Sequence, residues 1–453
     1  MDGQPRPEAG SADDKSPVAV VGLSHLGCVL AAAWSGLGHP VAAFDFDPDR
    51  VAQLAAGVPP IYEPGLEEAV RTGLAGDVLS FSTDPKSVAG SPYVFLSYDT
   101  PVRDDDTSDL SLLRQAVEAV LPFLDHGAVM IVSSQLPVGT ARQLRRQLQD
   151  HDTSLELVYS PENLRLGDAI HCYLQPGHVA VGCDNPDAGQ AVLDLFRPIG
   201  AETVVMDLPT AEMVKHCINS FLATSVTLAN QWADLCASTG ADYFTVARTI
   251  KLDPRIGVRA YVTPGLGFSG GTLGRDLRVL DAVARANGVD APLFGTTWRY
   301  NAERRRAVGA VAEDVIGDLA GRTVACLGMT YKAGTSSLRR SVAVEVACDL
   351  ASRGAKVRVY DPKADWTTAV LPTTLAVCET AYVAAEDSDL LVLLTEWPEF
   401  AELDYAAVAR AMAGSTLFDT KGALLDRAGE LEALGLDLVF FGRGHRLSGS
   451  VDG

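Results

Sequence analysis

The sequence predicts an α/β protein of two doubly wound lobes joined by a long central helix, and three observations carry that reading. Short apolar runs, each followed by a glycine-rich or acidic loop, recur through the first part of the chain. From Thr210 to about Ser238 they give way to one uninterrupted helical pattern. At Arg322 the strand-loop-helix pattern begins again. A chain of 453 residues exceeds what one ordinary core holds. The divisions read from it are a disordered tail over 1–16, a first lobe over 17–207, a helical middle over 208–300 and a second lobe over 301–453.

The formal net charge of -21 argues against nucleic acid or an anionic membrane as partner. It leaves room for a small anionic ligand, because a local cluster of Arg and Lys reverses the potential in one cleft. The eight cysteines form no Cys-x-x-Cys pair, so neither a metal site nor a disulfide framework is expected, which suits a reducing cytoplasm. The first sixteen residues lack the basic start and apolar run of a signal peptide. No apolar run reaches the roughly 18 residues of a membrane span.

The first lobe opens on the apolar strand Val18–Val21, followed by Gly22-Leu23-Ser24-His25-Leu26-Gly27 and a helical pattern to Gly38. A second strand, Val41 to Phe44, ends at Asp45, 23 residues after Gly22. This is the spacing of a Rossmann-like dinucleotide fingerprint. Gly22 makes the tight turn, Gly27 lets helix and strand approach, and Asp45 meets ribose hydroxyls. Its charge would repel a 2′-phosphate, favouring NAD over NADP. The middle glycine of the fingerprint is Ser24, so pyrophosphate would pass a small side chain. Further strands are expected at Tyr93–Ser97, Val129–Ser133 and Leu155–Tyr159. The loops beyond them carry Thr100, Gln135 and Ser160-Pro161-Glu162-Asn163-Leu164-Arg165, at the strand ends where open α/β sheets bind ligands. Glu162 reads equally as a turn-capping residue and as a base.

On the central helix Lys215 and Asn219 are four apart and share one face, among Met213, Val214, Ile218, Phe221 and Leu222. The lysine either snorkels to solvent or acts, with the asparagine, on a reacting oxygen. Beyond Asp253-Pro254-Arg255-Ile256-Gly257 comes Pro264–Asp276, with five glycines among thirteen residues. That composition predicts a loop whose backbone comes close to something, opening onto a helix from Leu277. In the second lobe, strands are expected at Arg322–Leu327, Val357–Tyr360, Leu390–Leu394 and Thr416–Phe418. Lys332, Arg339 and Lys421 stand on the loops that follow, as cations suited to a nucleotide diphosphate.

Taken together, these motifs resemble the UDP-glucose and GDP-mannose dehydrogenase family over residues 17 to about 445. The specific matches are Ser160–Arg165, Ala211-Glu212-Met213-Val214-Lys215 with Asn219, Asp253–Gly257, and Thr395-Glu396-Trp397-Pro398-Glu399-Phe400. Ile61-Tyr62-Glu63-Pro64-Gly65-Leu66 and Lys332 to Arg339 agree in position. The resemblance implies an NAD-binding Rossmann domain, a central helix that dimerises, and a nucleotide-sugar-binding Rossmann-like domain. It implies NAD contacts at Gly22, Ser24, Leu26, Gly27, Asp45, Thr100, Gln135 and Arg339. It implies contacts to a nucleotide sugar at Glu162, Leu164, Lys215, Asn219, Arg255, Phe268, Gly270 and Lys332. Lys215 and Asn219 would stabilise a developing C6 alkoxide, Asp276 would hold or activate a water, and Glu162 would serve a later hydrolysis. Arg255 would reach the ligand, from a partner subunit of a homodimer.

One stretch departs from the pattern. Similar enzymes read Gly-Tyr-Gly-Gly-Ser-Cys-Phe-Pro-Lys-Asp, and this chain reads Gly267-Phe268-Ser269-Gly270-Gly271-Thr272-Leu273-Gly274-Arg275-Asp276. The nucleophilic cysteine position is Thr272. Gln135 stands where many members have a water-binding threonine. Cysteine traps the C6 aldehyde covalently before a second hydride leaves, whereas an unassisted alcohol ionises far less readily. The expected product is therefore the C6 aldehyde or its hydrate. Full oxidation through the hydrate, an epimerase-like return of the hydride, and a non-catalytic binder are the other readings.

Overall fold

The computed structural model describes residues 15–101, 108–162, 164–269, 271–367 and 371–444. The tail expected at 1–16 lies almost wholly outside the described residues, as do Asn163 and Gly270. Two compact units are present, one ending at Cys217 and the other beginning at Ile218.

The first unit is built on a sheet of eight strands: β1 Val18–Val21, β2 Val41–Phe44, β3 Leu79–Ser82, β4 Tyr93–Leu96, β5 Val129–Val132, β6 Glu156–Tyr159, β7 Val179–Cys183 and β8 Thr203–Met206. Their order is β3-β2-β1-β4-β5-β6-β7-β8. Every pair is parallel except β6 with β7. All four residues of β1 and of β5 are buried, as expected of parallel strands covered on both faces. Helix α1, His25–Gly36, packs beneath β1 with ten of its residues buried. Its Trp34 indole donates to the Tyr173 hydroxyl at 2.9 Å. Gly182 lets the start of the long helix α2, Leu208–Thr239, come close, since a Cβ there would stand 2.5 Å from the Ala211 methyl.

In the second unit a six-stranded sheet joins β9 Thr323–Leu327, β10 Lys356–Tyr360, β11 Leu375–Val377, β12 Leu390–Leu393, β13 Thr416–Asp419 and β14 Asp437–Phe440. Its order, β11-β10-β9-β12-β13-β14, repeats that of the first six strands of the other sheet, and all its pairs are parallel. The rest of α2 belongs here, with α3 Thr272–Ala286 and α4 Pro292–Arg304. Ala229 and Ala233 of α2 share a small core with Tyr243, Ala247 and Val262. The sequence reading began the helix after the glycine-rich stretch at Leu277, but α3 starts five residues earlier, at Thr272. Gly274 does not break it, because a Cβ there would collide with the Trp298 ring of α4 at 2.6 Å. Contact between two helices, not backbone freedom, requires that glycine.

Candidate active site

In the first unit the crevice lies where the strand order reverses, between β1 and β4. Gly22 turns off β1 at φ +99°, and a Cβ there would meet the Tyr98 ring at 2.9 Å. A Cβ on Gly27 would lie 1.7 Å from the Gly22 carbonyl oxygen, so α1 closes on β1 only with glycine at that position. Ser97 Oγ donates to the Gly22 and Val21 carbonyls at 2.7 and 3.1 Å and fixes the turn from β4. Leu26 turns into the core at 8% exposure. Ser24 is the N-cap of α1, yet its side chain caps no backbone N–H, and its Oγ is buried without a hydrogen-bond partner. Asp45, just past β2, accepts from the Leu23 N–H at 2.6 Å, the Asp47 N–H at 3.0 Å and the Arg50 guanidinium at 3.2 Å. Burial, and after it the Asp45 charge, pushes the Tyr98 phenol upward, so it stays protonated beside the acid. Thr100 Oγ1 donates to the Gln135 carbonyl at 2.6 Å and ties the loops beyond β4 and β5 together. A helix start with no capping side chain and an orphaned serine hydroxyl at a switch point fit a pyrophosphate. The acid on the neighbouring strand end fits its ribose.

Beyond β6, the Glu162 carboxylate accepts from the Leu164 N–H two residues on, while Lys215 of α2 donates its ammonium to the Glu162 backbone carbonyl. Lys215 is buried, at 7% exposure. A cation that deep is costly unless it is bonded, so its presence there asks for a chemical reason. Leu164 is half-buried. A strut missed by sequence reasoning fixes this segment from behind. Glu63 accepts from His25 Nε2 at 2.8 Å, from the Gly167 N–H at 3.0 Å and from the Ala169 N–H at 2.8 Å.

In the second unit Asn219 Nδ2 donates to Asp276 Oδ2 at 2.5 Å, and both residues are buried. Arg275 Nε stands 3.5 Å from the other carboxylate oxygen. Thr272 is exposed at the first position of α3, whose N-cap, Gly271, offers no side-chain acceptor. The glycine-rich loop before it is held at several points. Asn230 of α2 accepts the Gly265 N–H at 2.8 Å, and Arg304 of α4 donates to the Gly265 carbonyl at 2.9 Å. Asn301 accepts the Phe268 N–H at 2.8 Å and donates to its carbonyl at 2.7 Å. Gly267 is at φ +90°, and a Cβ there would meet Asn301 Oδ1 at 2.3 Å. The Phe268 ring packs with Ala223 and Leu277, so it is the backbone of this residue that borders the loop. Asn230, Asn301 and Arg304 were not singled out from the sequence. The available signal was polar residues on faces otherwise committed to packing.

The second sheet repeats the first unit's turn. Gly328 leaves β9 at φ +87°, and Thr395 Oγ1 beyond β12 donates to its carbonyl at 3.1 Å. Asp361 ends β10 as Asp45 ends β2. Here the acid is sealed, because six donors converge on it: the Met329, Thr330, Lys363 and Ala364 N–H groups, the Thr330 hydroxyl and the Trp397 indole. A dinucleotide ribose finds no acceptor capacity left on it. Lys332 is half-buried and Arg339 exposed on the loop beyond β9. Arg255 is 87% exposed along its side chain and forks onto Asp253 at 2.7 and 3.0 Å.

Comparison with known proteins agrees with this division of labour. The UDP-glucose/GDP-mannose dehydrogenase family matches through its NAD binding domain over residues 16–200, its central domain over 209–303 and its UDP binding domain over 325–426. A UDP-glucose 6-dehydrogenase from Rhizobium meliloti is 33% identical over 414 residues, 89% of this chain and 94% of its own. The UDP-glucose 6-dehydrogenase TuaD from Bacillus subtilis is 30% identical over 431 residues, 94% of this chain and 93% of its own. The structure of a UDP-glucose dehydrogenase from Pyrobaculum islandicum superposes with a TM-score of 0.83 at 31% identity, covering 90% of this chain and 94% of the other. The chain therefore belongs to the UDP-glucose/GDP-mannose dehydrogenase family, NAD-dependent oxidoreductases that act on CH–OH groups.

Proposed function

We propose that this protein oxidises the C6 hydroxymethyl of a UDP-hexose of the UDP-glucose kind and releases the C6 aldehyde or its hydrate. The observation that carries the reading is the contrast between Thr272 and the other residues that the family resemblance assigns to the C6 chemistry. Asn219 and Asp276 are buried and bonded to each other, and Lys215 is buried and bonded. Thr272 is exposed, and among the described residues no side chain is hydrogen-bonded to its hydroxyl to take its proton. NAD, when bound, accepts the hydride from C6. Ser24 and the open start of α1 would hold its pyrophosphate, and ribose hydroxyls would donate to Asp45 where Arg50 now does. Lys215 and Asn219 steady the alkoxide that forms as the proton of the C6 hydroxyl leaves, and Asp276 holds the water that receives it. Glu162 would serve the later hydrolytic step where the sugar is carried on to the acid. Leu164 and Phe268 would border the sugar, as would Gly270, which lies outside the described residues, while Lys332, Arg339 and Lys421 would meet the diphosphate and cofactor.

The division into 17–207, 208–300 and 301–453 is proposed as the functional one. A homodimer through α2 is part of the same proposal. Phe221, Leu228 and Leu235 are exposed and seven residues apart, which makes one apolar stripe along the helix. Arg255, exposed on its own chain, would complete the partner's site. Light scattering should give a dimer for the native chain and a monomer for Leu228→Glu, and an unchanged mass would remove this element. No helix among the described residues is long and apolar enough to cross a membrane. The eight free cysteines support a cytoplasmic setting.

The test of the reaction is stoichiometry. NADH formed per UDP-glucose consumed, with mass analysis of the product, should give one NADH and an aldehyde or hydrate. Two NADH and the uronic acid would overturn the two-electron reading, and the absence of any turnover would overturn the enzyme reading for that sugar.

A further inference from the structure

The hydroxyl of Ser269 has no counterpart in the pattern of similar enzymes, where that loop position is glycine. In this chain it donates to the backbone carbonyl of Arg340. Arg340 is exposed and sits at φ +55°, a left-handed conformation that a side chain larger than glycine occupies only when something holds it. Ser269 is 9% exposed, so the bond is sheltered from competing water. The next residue along, Ser341, is pinned as well, its Oγ donating to the Met329 carbonyl at 2.7 Å. The segment between, Lys332 to Arg340, carries the cations assigned above to the diphosphate.

We propose that Ser269 is a positioning residue: its hydroxyl latches the glycine-rich loop to Arg340 and holds the cationic segment 332–340 ready for a nucleotide diphosphate. The inference rests on the proposed UDP-sugar site. Because the latch orders a binding segment and touches no reacting atom, its loss weakens ground-state and transition-state binding alike. KM then rises while kcat stays. The strain at Arg340 gives an internal control. Glycine adopts φ +55° without cost and alanine does not, and both remove the same side chain.

UDP binding by calorimetry and steady-state kinetics with UDP-glucose should be measured for the native protein, Ser269→Ala, and the double variants S269A/R340G and S269A/R340A. One lost hydrogen bond predicts a Kd for UDP and a KM for UDP-glucose roughly three- to tenfold higher in Ser269→Ala, with kcat within about twofold. S269A/R340G should bind UDP several-fold more tightly than S269A/R340A. A Ser269→Ala protein with a lower melting temperature but native Kd and KM would make the contact structural only and overturn the proposal. So would double variants that bind equally. Failure of the native protein itself to bind UDP would instead overturn the underlying UDP-site reading, and the two failures are thereby distinct.

Discussion

Thr272→Cys should convert a one-NADH reaction into a two-NADH reaction. The position is the first residue of a fifteen-residue helix with no capping side chain at its N-cap, so the positive end of the helix dipole bears directly on it. An exposed helix start of this kind is worth about 0.3–1 kcal/mol to an anion, a lowering of about 0.2–0.7 in the pKa of a thiol that starts near 8.5. The introduced thiol would then be roughly a third to three-fifths ionised at pH 8. The hydroxyl it replaces is not measurably ionised there. A thiolate at this site can add to the C6 aldehyde, and the hemithioacetal can give up a second hydride. The assay is NADH absorbance at exhaustion of a limiting amount of UDP-glucose. The native protein should plateau at one NADH per sugar and the variant should approach two, with uronic acid as product. A variant that still plateaus at one, while its thiol reacts readily with an alkylating agent, would refute the claim that the missing nucleophile sets the endpoint.

Lys215→Ala should reduce the first hydride step by at least about a hundredfold while NAD binding, followed by fluorescence titration, stays native, since in the proposed reaction the buried ammonium acts on the alkoxide and not on the cofactor. Parallel losses of both would mean that the lysine is a folding element. Gly27→Ala should weaken NAD binding at least tenfold, because its Cβ would fall 1.7 Å from the Gly22 carbonyl oxygen and force α1 off the turn; native affinity would contradict the packing. The third concerns pH. Glu212 is fully buried, and burial pushes its carboxyl above the usual range, against the pull of hydrogen bonds from the Ala141 and Gly139 N–H groups at 2.7 and 2.5 Å. A carboxyl raised in the folded state contributes stability that is complete below the unfolded carboxyl range and is lost as pH rises through the folded value. Glu212→Gln should therefore flatten the decline in denaturation midpoint as pH rises above the ordinary carboxyl range, and parallel profiles for the two proteins would argue against it.

What the sequence disclosed and what it hid divide along chain distance. Val41–Phe44 was readable to the residue, and the turn at Gly22 could be read because its geometry is a property of a few adjacent residues. The second lobe was visible for the same reason, as a pattern that starts over. The strands β3, β7, β8, β11 and β14 went unread. β8 and β11 are short edge strands, β8 half-exposed along its length, so neither shows the buried run that marks a central strand. The start of α3 was hidden by Gly274, a glycine that belongs to helix packing and not to a loop. The anchors of the glycine-rich loop were hidden most completely. Asn230, Asn301 and Arg304 are separated from the residues they hold by 35, 33 and 39 positions, and a bond across that span leaves no local periodicity. The loop was legible as a loop, but its supports could be found only in three dimensions.

The six donors on Asp361 have a kinetic consequence. They leave Asp361 no room for a dinucleotide ribose, so among the described residues the strand-end acid open to NAD is Asp45 of the first sheet. A four-electron oxidation must then run as a relay, in which NADH departs and fresh NAD arrives while the half-oxidised sugar waits. A covalent tether makes that wait safe. Without one, the fate of the aldehyde is a race between its own escape and the exchange of cofactor, and the winner depends on NAD concentration as well as on chemistry. On the proposed reading, the sealed acid at Asp361 and the hydroxyl at Thr272, both in the second unit, are two terms of one partition ratio, and raising NAD is the simplest way to move it.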